Sequence, residues 1–253
     1  VLDVYQRDTA RLLRDRQNLS YSLAELTDYI NQARRELVRA TGCLRCLIAG
    51  NSPFGSGSTP GLAVPGGMTP GSPDTSLTVF QTIPGQEKYH YGYANPLLQQ
   101  LYSGVSGILD VIAVAVNWGG SMRPVDDWVP WEYLQAYARS YSVGVFNYPF
   151  LWSTYGDGVN GQVWLFPTPG TQCEMQWDVT PEPASIYSDT DYEAIPSPFT
   201  EGVKFFAARQ AFLASQRYGA ADLMFAEFDR ELGLDRAASD RGKVPSYYYQ
   251  VWG

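Results

Sequence analysis

Apolar residues recur every three or four positions across residues 22–40. Leu23, Leu26, Ile30, Ala33, Leu37 and Ala40 fall on one side, and Glu25, Asp28, Gln32, Arg35, Glu36 and Arg39 on the other. That period marks an amphipathic helix lying on a core. Ser22 followed by Glu25 forms a capping box, Tyr21 is placed to staple onto Leu26, and Gly42 can close the end. Residues 3–15 predict a first helix anchored by Leu12 and Leu13. A short connection between the two makes a helical hairpin.

The pattern then changes. Residues 50–73 carry no charge and are dominated by Gly, Pro and Ser, too long a stretch for an ordinary connection inside a compact domain. Between 77 and 181 the runs "LTVFQT", "EKYHYGY", "ILDVIAVAVNW", "PFLWSTYG", "QVWLFP" and "CEMQWDV" are short, rich in Val, Ile and aromatics, and bounded by Pro and Gly. They read as antiparallel strands. In the last run Glu174, Gln176 and Asp178 alternate with Met175, Trp177 and Val179, predicting one wet and one buried face. A helix over 130–141 interrupts the strands, with Leu134, Ala138 and Tyr141 on one side. Helical spacing returns at 199–217 (Phe199, Val203, Phe206, Ala207, Phe212, Leu213), breaks at Gly219, and resumes at 221–232 with Leu223, Phe225, Phe228 and Leu232.

The resulting order is a helix pair (1–48), a Gly/Pro-rich loop (49–76), a β domain with an inserted helix (77–181), a linker with two further helices (182–235) and an extended arm (236–253). The fold class is α+β: a bundle of N- and C-terminal helices carrying an inserted antiparallel β domain. The apolar surface of 199–217 is broad enough for more than one partner, so Phe199, Val203 and Phe206, with Leu23, Leu26 and Ile30 of the second helix, are candidates for contacts between subunits. "GLDRAASDRGK" at 233–243 reads as a polar tether with two glycines, delivering the aromatic stretch "VPSYYYQVWG".

Composition narrows the function. A net charge of −8 argues against sequence-independent nucleic-acid binding. No apolar run is long enough to span a membrane, and the first residues are charged throughout, unlike a secretory signal. Cys43, Cys46, Cys173 and His90 have the count of a zinc site, but the last two are far from the first pair in sequence, so structural thiols are the better reading. His90 is the only histidine and sits among tyrosines in an expected strand. The Gly-rich loop lacks the G-K-[ST] ending of a phosphate cradle. Asp126–Asp127 and Asp189, Asp191 and Glu193 are read as solvated turn carboxylates, without the spacing of a calcium loop. The expectation is a non-enzyme with no cofactor and no metal.

The stretch "ARLLRDRQNLSYSLAELTDYINQARRELVRATGCLR" resembles the opening of head-to-tail adaptor (connector) proteins of tailed bacteriophages, the short-tailed type especially. The matching residues are Leu12, Leu13, Asp15, Tyr21, Glu25, Leu26, Tyr29, Ile30, Asn31, Ala33, Arg35 and Glu36. The long Gly/Pro loop departs from that pattern. The resemblance implies a structural virion protein, assembled in the host cytoplasm into a ring of twelve beneath the portal. That ring extends the DNA channel and offers a surface to the tail nozzle or hub. It also implies an extended arm reaching the portal, here Val244, Tyr247, Tyr248, Tyr249, Val251 and Trp252. Genomic DNA would pass through without specific binding, which suits an acidic wall. The alternatives are a carbohydrate-binding or hydrolytic virion protein built on the aromatic β domain, or another neck or tail-tube component.

Overall fold

The computed structural model describes residues 1–15, 20–49, 80–118, 120–140, 148–156, 158–197 and 199–240, the last six by backbone alone. The Gly/Pro-rich loop at 50–73 and the aromatic segment 244–253 lie outside the described residues, as does Tyr141. In chain order the elements are α1 (Leu2–Leu13), α2 (Leu23–Thr41), β1 (Cys46–Ala49), β2 (Lys88–His90), α3 (Tyr91–Leu101), β3 (Val105–Trp118), β4 (Ser121–Pro124), β5 (Asp127–Trp128), α4 (Trp131–Ser140), β6 (Leu151–Tyr155), β7 (Gln162–Phe166), β8 (Met175–Pro183), α5 (Val203–Ala214) and α6 (Tyr218–Asp240). The fold is α+β. Contacts divide it into a helical unit, the described residues of Val1–Arg45, Ser103–Ser106 and Glu182–Gly253, and a β-rich unit, those of Cys46–Tyr102 and Gly107–Pro181.

In the helical unit α2 starts as its sequence dictates. The Ser22 hydroxyl accepts the Glu25 N–H, the Glu25 carboxylate accepts the Ser22 N–H, and Gly42 closes the helix in the left-handed conformation. Leu13, Leu26, Ala208, Ala211, Phe212 and Ala221 form one buried cluster, with Tyr21 packed against it. The Tyr21 hydroxyl donates to the Ala211 carbonyl at 3.1 Å, pinning the start of α2 to the end of α5. Phe206 and Phe228 meet at 5.0 Å between ring centres. α2 and α5 each pack against α1 and α6, whereas α1 and α6 share at most a glancing contact. The four helices therefore form a rhombus with α1 and α6 at its far corners.

The break expected at Gly219 lies earlier. α5 ends at Ala214 and the break falls at 215–217, where Gln216 takes a positive φ of 58°, and Gly219 sits inside α6. α6 also continues through Gly233 to Asp240, so the first part of the expected tether is helix, stabilised by its successive backbone hydrogen bonds.

The β-rich unit holds two four-stranded sheets, ordered β1-β8-β3-β4 and β2-β7-β6-β5. Cys46–Ala49, assigned from sequence to the end of the helix pair and the loop, is instead strand β1, with Cys46 opposite Val179. β7 runs antiparallel to both β2 and β6. β5 is the exception to an antiparallel design, running parallel to β6 with Trp128 opposite Trp152. The alternation at Met175, Trp177 and Val179 holds, all three being fully buried. Phe80 stands edge-on to Trp177 at 4.9 Å. Gly161 is required by close packing: a Cβ there would lie 2.2 Å from the Tyr91 ring.

"EKYHYGY" is strand only at Lys88–His90 and then turns into α3. Gly92 and Pro96, poor helix residues, mask that helix, although Tyr91, Ala94, Leu97 and Leu98 keep its spacing and are buried. In α4 the packed residues are Trp131, Leu134 and Tyr137, and Ala138 faces solvent. A wide aromatic face fills the gap against β6 and β7 better than a methyl group.

Candidate functional site

The resemblance motif Tyr29-Ile30-Asn31 lies on α2, and the structure gives its asparagine a task. Asn31 Oδ1 accepts the Ile186 N–H at 2.9 Å and Asn31 Nδ2 donates to the Ile186 carbonyl at 3.0 Å. The side chain thus pairs with an extended backbone as a neighbouring strand would. One turn on, Arg34 is fully buried. Its Nη2 and Nε donate to Glu193 Oε1 and Oε2 at 2.7 and 3.0 Å, and its Nη1 donates to the Ala184 carbonyl at 2.6 Å.

Glu193 is saturated from other sides as well. The Tyr5 hydroxyl donates to Oε2 at 2.9 Å and the Ile195 N–H to Oε1 at 3.0 Å. At the surface Arg35 adds an ion pair to Glu182 at 2.9 Å. Segment 182–195 is therefore strapped across α1 and α2. Gly104 lets the strap lie close, since a Cβ there would meet the Tyr192 ring at 2.7 Å.

The acidic cluster Asp189, Asp191 and Glu193 consequently has three separate structural roles. Asp189 accepts the Asp3 N–H in the first turn of α1, and that bond lowers its pKa. Asp191 accepts the N–H groups of Tyr187 and Ser188, which lower its pKa in the same way. Glu193 anchors Arg34. Asp126 and Asp127 are exposed. His90 is exposed where β2 ends, and its side chain makes no capping bond to α3. Cys43, Cys46 and Cys173 are not joined in disulfides, and burial, then the charge of Asp178, push the Cys46 thiol up to about 11. Among the described residues no group of His, Cys, Asp and Glu is arranged to hold a metal ion.

Four of the expected contact residues, Leu26, Ile30, Val203 and Phe206, are buried inside their own subunit's bundle. Their broad apolar surface is consumed by packing among α1, α2, α5 and α6, so these side chains hold the subunit together. Phe199 is half-buried, and Leu23 is 50 % exposed at the start of α2. The aromatic arm residues Val244, Tyr247, Tyr248, Tyr249, Val251 and Trp252 lie outside the described residues.

Sequence reasoning overlooked Arg34. Its signal was legible: a lone charge inside an apolar stripe, between Ile30 and Leu37, demands a buried partner. It also placed Leu223 and Phe225 with the apolar spacing of 221–232, whereas only Phe228 and Leu232 of that set are buried. Leu223 stands 66 % exposed on the outward face of α6, beside the overlooked Leu234 at 60 %. In the β-rich unit Trp131 packs at 4.2 Å from Trp164 and 5.1 Å from Tyr155, with Lys88 Nζ 5.5 Å from the Trp164 ring.

Two buried tyrosines set an alkaline limit to stability. Burial pushes Tyr89 up to about 12, and burial followed by the neighbouring Glu193 charge pushes Tyr5 well above the usual 10.0. A raised tyrosine pKa means the folded state holds its proton more tightly than the unfolded chain does. That contribution is complete below the unfolded value and is lost as pH rises beyond it. The denaturant midpoint should fall steadily from about pH 10 upward, more steeply in the wild type than in Tyr5→Phe/Tyr89→Phe. Equal slopes would contradict the assignment.

Set beside known families, residues 1–247 match the family model described as SU10 adaptor protein. No curated protein matches the chain.

Proposed function

The chain belongs to the SU10 adaptor family of structural phage proteins that link head to tail in the virion neck, and on that premise we propose that its copies close into a ring of twelve between the portal and the tail, extending the DNA channel. The observation that carries this reading is the reach of the family match. It runs over both helical hairpins and the β-rich unit, far past the N-terminal stretch that carries the resemblance. The chain's charge of −8 suits a channel wall that repels phosphate and lets DNA slide. Among the described residues no helix is long and apolar enough to cross a membrane.

In this reading residues 244–253 dock on the portal, with Tyr247, Tyr248, Tyr249, Val251 and Trp252 as anchors. Residues 50–73 lie against a neighbouring copy or the tail nozzle or hub, and the subunit is built in the host cytoplasm before it enters the neck. The direct test is co-sedimentation of the purified chain with assembled portal. Capture near one copy per portal subunit is the expected result. A chain that stays in the supernatant with portal yet binds isolated tail tubes would support a different neck or tail role.

A further inference from the structure

Two exposed helix faces of the bundle are complementary in charge. On the outward face of α1, Val4, Arg7, Arg11 and Arg14 follow at helical spacing and all are exposed. Asp8 is shared between Arg7 at 3.7 Å and Arg11 at 3.2 Å, and with Asp3 exposed one turn before Arg7 the face sets three arginines against two aspartates. On the outward face of α6, Leu223 and Leu234 stand exposed beside Asp222 and Asp229. Among the described residues these two aspartates have no salt-bridge partner. Arg230 on the same face is already engaged by Glu227 at 2.9 Å and Glu231 at 3.1 Å.

The faces belong to different helices at the far corners of the bundle, since α2 and α5 separate α1 from α6. A patch that is self-complementary on one helix would close a two-fold dimer. Two different matched patches on opposite corners instead join copies head to tail, the arrangement that closes rings. We propose that the outward face of α6 in one copy seats on the outward face of α1 in the next, with Asp222 and Asp229 meeting Arg7 and Arg11 around Leu223, Leu234 and Val4. This rests on the ring reading above and names the surfaces that build it.

A trans-complementation experiment tests it. Arg7→Glu/Arg11→Glu and Asp222→Arg/Asp229→Arg each turn every junction of a ring into a like-charge contact. Each variant alone should lose ring formation on the portal by on the order of tenfold or more. An equal mixture of the two should restore it, because alternating copies again present matched faces. Circular dichroism controls for folding of these exposed-site variants.

A second readout separates assembly from subunit stability. A Cβ on Gly233 meets nothing within 4 Å in the subunit, so Gly233→Ala should raise the melting temperature of the free chain. Added to either charge-reversed variant, it should not restore the ring, because the defect lies between copies. Folded variants that assemble like wild type, or a mixture no better than either variant, would overturn the proposal. A portal contact on this face belongs to the second outcome, because mixing could not rescue it. A wild-type chain that forms no ring with portal would overturn the ring reading itself, before any variant is compared.

Discussion

Removing residues 244–253 should leave a folded subunit that no longer stays on the portal. The segment offers three tyrosines, a tryptophan and two valines within ten residues. Burying one large aromatic is worth about 1.5–3 kcal/mol, and interface aromatics often cost about 2 kcal/mol or more when truncated. Loss of several such anchors from every copy of a ring removes avidity as well as affinity. Co-sedimentation with portal should therefore fall to background, while circular dichroism and melting of the free subunit stay unchanged. Undiminished capture would rule out the anchoring role, and an unfolded subunit would show that the segment packs on its own chain. Trp252→Ala with Tyr248→Ala should give an intermediate loss.

The second large effect is expected inside the subunit. Arg34→Met removes the bidentate partner of Glu193 and the donors to Ala184 and Asn31, while the carboxylate stays mostly shielded from water. Breaking one side of a buried ion pair costs about 3–5 kcal/mol, because the remaining charge is uncompensated. For a chain of this size each kcal/mol moves the melting temperature by roughly 2–4 °C, so a fall on the order of 10 °C is expected. Arg34→Met/Glu193→Leu should recover much of it, since neither charge is then stranded. A single variant that melts within about 2 °C of wild type would contradict the strap's contribution. So would a double variant that recovers nothing.

The helices that carry regular spacing were legible residue by residue. The capping box at Ser22, the stop at Gly42 and the alternation of Met175, Trp177 and Val179 follow from local chemistry, which the sequence contains in full. α3 was hidden because Gly92 and Pro96 speak against helix while burial of Tyr91, Leu97 and Leu98 decides for it. Tertiary packing outweighed propensity there. Strand β1 was missed for a similar reason: "CLIA" is short, and only its pairing with β8 makes it a strand.

The surfaces were harder to read than the elements. An apolar stripe in a sequence does not say whether its own chain or another chain covers it, and this is why Leu26, Ile30, Val203 and Phe206 were expected at contacts between subunits. The structure shows them covered by their own bundle and leaves Leu223 and Leu234 of α6 bare. The strap at 182–195 was unreadable for a further reason. Asn31 and Arg34 meet Ile186 and Glu193 across more than 150 positions of sequence, and the intervening β-rich chain gives no hint of that meeting.

The most direct measurement is a reconstruction of the neck of the virion that carries this chain, at a resolution sufficient to place its helices. A ring of this subunit directly beneath the portal, with the aromatic segment on the portal and the channel running through its centre, is the expected result. The same chain located on the capsid surface, on fibres or only at the distal tail would contradict it.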